Sequence, residues 1–325
     1  MNDGPLYLAF ETGGTKLVTG VAGGDLRILA SESVRRAASD RAPRSLRRVV
    51  ATAEGVLATE PFRNRTLRAI GFGFGGTVRR SANSPHLCLH EDGWNEVDVV
   101  GELERRFHAP VFVENDCKLA ALAEAHFGAG HGAGSLFYIT LGTGVGGGFV
   151  KDGRILACGD LGEAEIGHVV VEPDGLPCCC GSRGCVESMC SGPGLVKLCG
   201  MLANRHPGEW RSSALWDSHR EAQFRSELIV QHWERGDPFA RRVMETSADR
   251  LALALASMVN ILVPERIVIG GGLGTSSPRL LDLIEARVRP LVVPYFRESF
   301  EIVGSMLHES AVTQGAAIYA AQRMR

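Results

Sequence analysis

A chain of 325 residues, 45% hydrophobic and 22% charged, has the composition of a soluble globular protein, which excludes disorder and collagen-like repeats. Its 35 basic and 37 acidic residues leave a net charge of −2, which gives no electrostatic case for nucleic acid as a partner. The longest nearly apolar run, residues 251–263, is interrupted by Ser257 and Asn260 and falls short of the roughly 20 residues a membrane helix needs. It reads as a buried helix, and with no secretory pattern at the N-terminus a cytoplasmic chain without membrane partners is expected. At roughly 100–200 residues per domain the length suggests two domains with a cleft between them.

Residues 6–10 form a short apolar run, broken at Gly13-Gly14 and resumed over 17–21, the pattern of a hairpin. Residues 45–58 carry Leu46, Val49, Val50, Ala53 and Leu57 at helical spacing. A strand over 67–74, a helix over 99–107 and a short buried strand over 110–113 follow, and then an Ala/Leu-rich helix over 117–127. Beyond it come a strand at 136–141, a glycine loop, and a hairpin over 149–156 turning at Asp152-Gly153. A long helix over 238–263, a strand over 266–269, a glycine turn at 270–274 and helices over 280–288 and 311–322 complete the pattern. This alternation predicts an α/β fold. No long low-complexity linker interrupts it, so short hinges are expected to join the domains.

Three glycine-rich turns each follow an apolar strand: residues 13–16, 142–148 and 270–274. Glycine lets a backbone approach a phosphate and turn its N–H groups inward. Residues 142–147 formally match G-x-G-x-x-G, but the segment that follows reads as a hairpin, so the helix N-terminus of a dinucleotide site is missing. No Walker loop occurs. Any one turn could be ordinary; three of them favour phosphates clamped between lobes.

Of nine cysteines, five fall between Cys178 and Cys190. In an intracellular chain such a cluster favours a metal or redox centre over a disulfide framework. If residues 178–180 are extended, Cys178 and Cys180 point to one side and Cys179 to the other, and Gly181 and Gly184 allow the turn that brings Cys185 round. Together with His168 they make a closed set of one imidazole and three thiolates, which suits a structural Zn²⁺; free thiols in a loop are the bland alternative. Asp116, where a strand gives way to a helix, is either a helix cap or a catalyst. Glu165 and Glu187 bracket the cysteine loop and are either surface carboxylates or acceptors for the hydroxyls of a polyol. Phosphate-facing turns, carboxylates and a metal-pinned loop together suggest phosphoryl transfer to a sugar.

The chain resembles the ROK family of sugar kinases and related repressors. The resemblance runs over Phe10-Glu11-Thr12-Gly13-Gly14-Thr15-Lys16, Asn115-Asp116, residues 141–148, Glu165-Ile166-Gly167-His168, residues 178–187, Ile269-Gly270-Gly271-Gly272 and Gln314-Gly315-Ala316-Ala317. It implies an actin-like, hexokinase-type ATPase fold made of two RNase H-like domains with an interlobe cleft. The expected boundaries are 1–116 for a small N-terminal lobe, completed by helix 308–325, and 117–307 for a larger lobe carrying the zinc loop. The resemblance further implies an ATP-dependent hexose kinase, glucokinase-like, that uses ATP with Mg²⁺, carries structural Zn²⁺ and forms a homodimer. Asp116 matches the catalytic base; Gly75, Gly76, Asn115, Asp116, Glu165, His168 and Glu187 match sugar-binding positions. Glu11, Gly13, Gly14, Thr15, Lys16, Gly142, Thr143, Gly144, Gly271 and Gly272 match the ATP site, and His168, Cys178, Cys180 and Cys185 the zinc ligands.

Three positions depart from the family pattern. Glu11 stands where most members have Asp, His90 where many have Asn, and Phe74-Gly75-Gly76 replaces a Pro-Gly. Fructokinase and N-acetylglucosamine or N-acetylmannosamine kinase are the alternative activities, and a non-catalytic sugar sensor is a further one. A ROK repressor is disfavoured because the first glycine motif starts close to Met1, which leaves no room for a DNA-reading helix.

Overall fold

The computed structural model describes residues 4–37, 39–89, 91–219 and 224–324. Two five-stranded sheets organise the chain. The first contains β1 (Leu6–Thr12), β2 (Lys16–Ala22), β3 (Ile28–Arg35), β4 (Leu67–Phe74) and β7 (Val111–Asn115), in the order β3-β2-β1-β4-β7. β5 (Thr77–Arg79) and β6 (Ser84–Leu87) make a separate hairpin. The second sheet contains β8 (Ser135–Leu141), β9 (Val145–Lys151), β10 (Arg154–Ile155), β11 (Arg266–Gly270) and β12 (Glu301–Gly304), in the order β10-β9-β8-β11-β12. Counted within each sheet the order is the same, 3-2-1-4-5, with antiparallel strands at one edge and parallel strands at the other.

Alternation along β1 shows why this sheet is buried on both faces. Leu6, Leu8 and Phe10 pack with Leu46, Val49 and Ala53 of helix α1 (Ala42–Leu57) and with Leu103 of α2 (Val99–Phe107). Tyr7 and Ala9 point the other way, onto Leu119 of α3 (Asp116–Phe127) and onto Ala316, Ala317 and Ala320 of the C-terminal helix Ala311–Arg323. The long helix Pro238–Leu262 begins with Asp237 accepting from the N–H groups of Phe239 and Ala240 and with Pro238 in the first turn, the preferred start chemistry. Among the described residues no helix is long and apolar enough to cross a membrane.

By contacts the chain divides into Met1–Gly132 with Gly148–Glu163 and Leu307–Arg325, and Ala133–Gly147 with Ala164–Met306. This differs from a single break after residue 116: α3 lies in the first unit because it packs against the C-terminal helix. Several elements are absent from the sequence reading. β3 is an edge strand with mostly polar, exposed positions, and β12 spans only Glu301–Gly304; neither carries enough periodicity to show. The helices Gly192–Arg205 and Ser226–Glu234 likewise add to the expected elements. The expected glycine turn at 270–274 is a short helix, Gly271–Gly274.

Candidate active site and cysteine loop

In the first unit, the turn after β1 is closed by the Gly13 N–H donating to the Lys16 carbonyl at 3.0 Å. Glu11 precedes it, 7% exposed, with the Lys16 Nζ at 3.7 Å and its own Oε2 buried without a hydrogen-bond partner among the described residues. Burial pushes the Glu11 carboxyl up to about 7; the Lys16 ammonium opposes this, and the carboxylates of Asp116 and Glu309 reinforce it.

At the junction of β7 and α3 the N-cap is Asn115 and not Asp116. Asn115 is the cap: its Oδ1 accepts from the N–H groups of Cys117 and Lys118 at 3.0 and 3.2 Å, and its Nδ2 donates to the Gly76 carbonyl at 3.1 Å. Asp116 is the first helical residue, partly exposed, with Oδ1 accepting from Cys117 N at 2.8 Å and Oδ2 3.5 Å from the position a Cβ on Gly75 would take. Asn115 therefore joins the Gly75-Gly76 segment to the helix start, and the Asp116 carboxylate stands beside that segment.

Sequence reasoning missed a buried ion network next to this junction. Arg80 pairs with Glu163 at 2.6 Å and with Glu114 at 3.4 Å, and Lys118 stands 3.4 Å from Glu163. Burial disfavours the Glu163 charge, but the hydrogen bonds from Arg80 and the Lys118 ammonium outweigh it and hold the carboxyl below its ordinary range. The available signal is Lys118 itself, a charge beside the apolar stretch 119–123.

In the second unit, residues 142–144 link β8 to β9. Gly142 N donates to the Gly144 carbonyl at 3.0 Å, and Gly192 N donates to the Gly142 carbonyl at 2.8 Å. Glu187 then joins two loops: its Oε2 accepts from Val145 N at 2.9 Å and its Oε1 from the Cys179 thiol at 3.1 Å. Burial and the Glu187 carboxylate push that thiol up to about 12, so it stays a donor. Glu165 is exposed and begins the single turn Ile166–His168. A Cβ on Gly167 would lie 1.9 Å from the Val145 carbonyl oxygen, so only glycine lets this turn back onto the glycine loop. Gly272 has open space on its Cβ side. His90 lies outside the described residues.

The cysteine loop is a turn and not an extended segment. Cys178 N donates to the Ser182 carbonyl and Gly181 N to the Cys178 carbonyl, and Gly181 and Gly184 both have positive φ. The Cys179 thiol donates to Glu187 and also stays close to the Cys178 sulfur. The donor atoms of His168, Cys178, Cys180 and Cys185 all lie within 4.8 Å of one another. Cys180 and Cys185 sulfurs are 3.7 Å apart, and the Cys178 sulfur is 3.6 Å from His168 Nδ1. A tetrahedral Zn²⁺ with ordinary bond lengths requires edges of about 3.8 Å and about 3.6 Å respectively, so the residues present fit that ion. Burial pushes the Cys185 thiol up to about 12, a preference that a divalent cation reverses. A second group, Cys178, Cys179 and Glu187, is equally close but lacks a fourth donor among the described residues.

A family model described as the ROK family matches residues 7–323. The chain is 33% identical over 258 residues to a glucokinase of Thermotoga maritima, covering 78% of this chain and 80% of the relative. It is 31% identical over 315 residues to a glucokinase of Streptomyces coelicolor, covering 96% of each. Among solved structures it is similar to a ROK family glucokinase from Streptomyces griseus in complex with glucose and AMPPNP. That match has a TM-score of 0.77 and 30% identity, covering 98% of this chain and 99% of the other. The architecture is the actin-like ATPase fold, and the repeated 3-2-1-4-5 strand order is its pair of RNase H-like sheets.

Proposed function

Since the chain belongs to the ROK family, we propose that it is an ATP-dependent hexose kinase that transfers the γ-phosphate to the primary hydroxyl of glucose. The observation that carries this reading is the division of labour at residues 115 and 116. Asn115 satisfies the first N–H groups of α3, which leaves the Asp116 carboxylate beside the Gly75-Gly76 segment. Asp116 is the group that accepts the hydroxyl proton as the sugar oxygen attacks in line, a role worth roughly 10²–10⁴-fold in rate. Asn115, Gly75, Gly76, Glu165, His168 and Glu187 are the sugar-binding set: carboxylates accept hydroxyl hydrogen bonds and the imidazole orients them. Two relatives named glucokinase and a solved kinase complex with glucose and AMPPNP support this choice of sugar and donor.

Gly13, Gly14, Thr15, Lys16, Gly142, Thr143 and Gly144 are assigned to the phosphates through backbone N–H groups, the Thr hydroxyls and the Lys16 ammonium, and Gly271 and Gly272 to the adenosine. Mg²⁺ arriving with ATP supplies charge neutralisation at the phosphates. Glu11, whose buried Oε2 has no hydrogen-bond partner among the described residues, is the carboxylate that fits on that side. Zinc on His168, Cys178, Cys180 and Cys185 has a structural role: it fixes the loop that carries Cys179 and the start of helix Glu187–Cys190, and so the orientation of Glu187. The same reading makes the protein a cytoplasmic homodimer. ADP release measured over glucose, mannose, fructose, N-acetylglucosamine and N-acetylmannosamine tests it. Highest kcat/KM on glucose is expected, another preferred sugar reassigns the substrate, and no turnover on any of them refutes the kinase reading in favour of a sugar sensor.

A further inference from the structure

We propose that Arg36 is a positioning residue that sets the residue 13–16 turn for the nucleotide's phosphates by holding its carbonyl groups from behind; the inference rests on reading that turn as the phosphate site. Arg36 is 8% exposed. Its Nη2 and Nε donate to the Gly14 carbonyl at 2.6 and 3.0 Å, and its backbone N–H donates to the Thr15 carbonyl at 2.9 Å. With the Lys16 carbonyl taken by Gly13 N, three successive carbonyls of the turn are engaged within the protein. Across a trans peptide the C=O and the following N–H point in opposite directions. Pinning the Gly14 oxygen on Arg36 therefore aims the Thr15 N–H away from it. The N–H groups of Gly14 and Thr15 have no protein acceptor among the described residues. The guanidinium thus offsets the carbonyl dipoles that would repel an anion and leaves donors facing out.

Arg36 is itself held in place. Glu91 lies 3.9 Å from its Nη1, and that carboxylate accepts from Ser45 Oγ at 2.5 Å and from Trp94 Nε1 at 3.1 Å. Two N–H groups on one carbonyl require the planar fork of arginine; a lysine ammonium cannot reproduce it.

The test compares Arg36→Gln, Arg36→Lys and Gly14→Asp with the unmodified protein. Steady-state kinetics are run with ATP and glucose varied separately, and the ADP dissociation constant is measured by calorimetry. Arg36→Gln is expected to raise the ATP KM and the ADP Kd about tenfold, with the glucose KM within about twofold; tenfold is about 1.4 kcal/mol. A purely structural role instead lowers kcat through loss of folded enzyme while both KM values hold, and that result overturns the inference. If Arg36→Gln does not fold, Arg36→Lys is judged by the same criterion. Gly14→Asp separates the two readings, because its Cβ meets nothing within 4 Å while its carboxylate would repel a phosphate. Weaker nucleotide binding in Gly14→Asp but not in the Arg36 variants refutes only the role of Arg36. Unchanged nucleotide binding in all variants refutes the phosphate turn as well.

Discussion

Replacing Glu11 by Gln removes a buried charge without changing its shape, and the consequence for stability follows from the carboxyl's surroundings. In the folded chain burial raises it from an ordinary 4.5 to about 7, against partial relief from Lys16; in the unfolded chain it titrates near 4.5 again. Between those pH values the unfolded state binds fewer protons than the folded state, so stability falls as pH rises. The contribution is complete below about 4.5 and lost once pH passes about 7. The difference corresponds to roughly 3 kcal/mol, an order-of-magnitude figure for a group this buried. Glu11→Gln escapes that loss. Thermal unfolding of the ligand-free wild type and the variant, followed from pH 4 to pH 9, should show the variant gaining Tm over the wild type between about pH 4.5 and pH 7, with a plateau above. At about 2–4 °C per kcal/mol the plateau amounts to roughly 6–12 °C. A Tm difference that is flat with pH, or largest in acid, would refute the reasoning.

Asp116→Asn should lower kcat by about 10²- to 10⁴-fold while glucose affinity by calorimetry changes little; near wild-type turnover would remove Asp116 from the role of base. Metal analysis of protein purified without chelator should find about one zinc per chain. Cys180→Ser should lose it together with several degrees of Tm, whereas full metal content in that variant would contradict the ligand set. Gly184→Ala puts a Cβ 1.5 Å from the Glu172 carbonyl oxygen at a φ of +67°, so it should cost about 2 kcal/mol or more. Faster release of zinc to a colorimetric chelator is expected with it, and unchanged release would show that the turn does not shape the site.

Some elements announce themselves in the order of residues. Residues 67–74 and 99–107 form the expected strand and helix because their own side chains set the period and the ends. The zinc candidates are visible for a similar reason: thiol and imidazole chemistry at close spacing has few other uses. Edge strand β3 escaped because its outward positions are polar, and its partner β2, not its own pattern, makes it a strand. The Arg80–Glu163 pair spans 83 residues and the Arg36–Gly14 contact 22, distances at which no local pattern reports a contact.

The residue types and their spacing alone determine the α/β class, the glycine-rich segments, the closely spaced thiols and imidazole, and the pair Asn115-Asp116. Only the tertiary structure decides how those parts are used. Which of two adjacent polar residues caps the helix depends on where the Gly76 carbonyl comes to rest. Whether Glu11 is an ordinary surface acid or a buried one near neutrality depends on what the fold places over it. Hydrogen-bond reach and desolvation act over a few ångströms in space, and the chain sets those distances only when it folds back on itself.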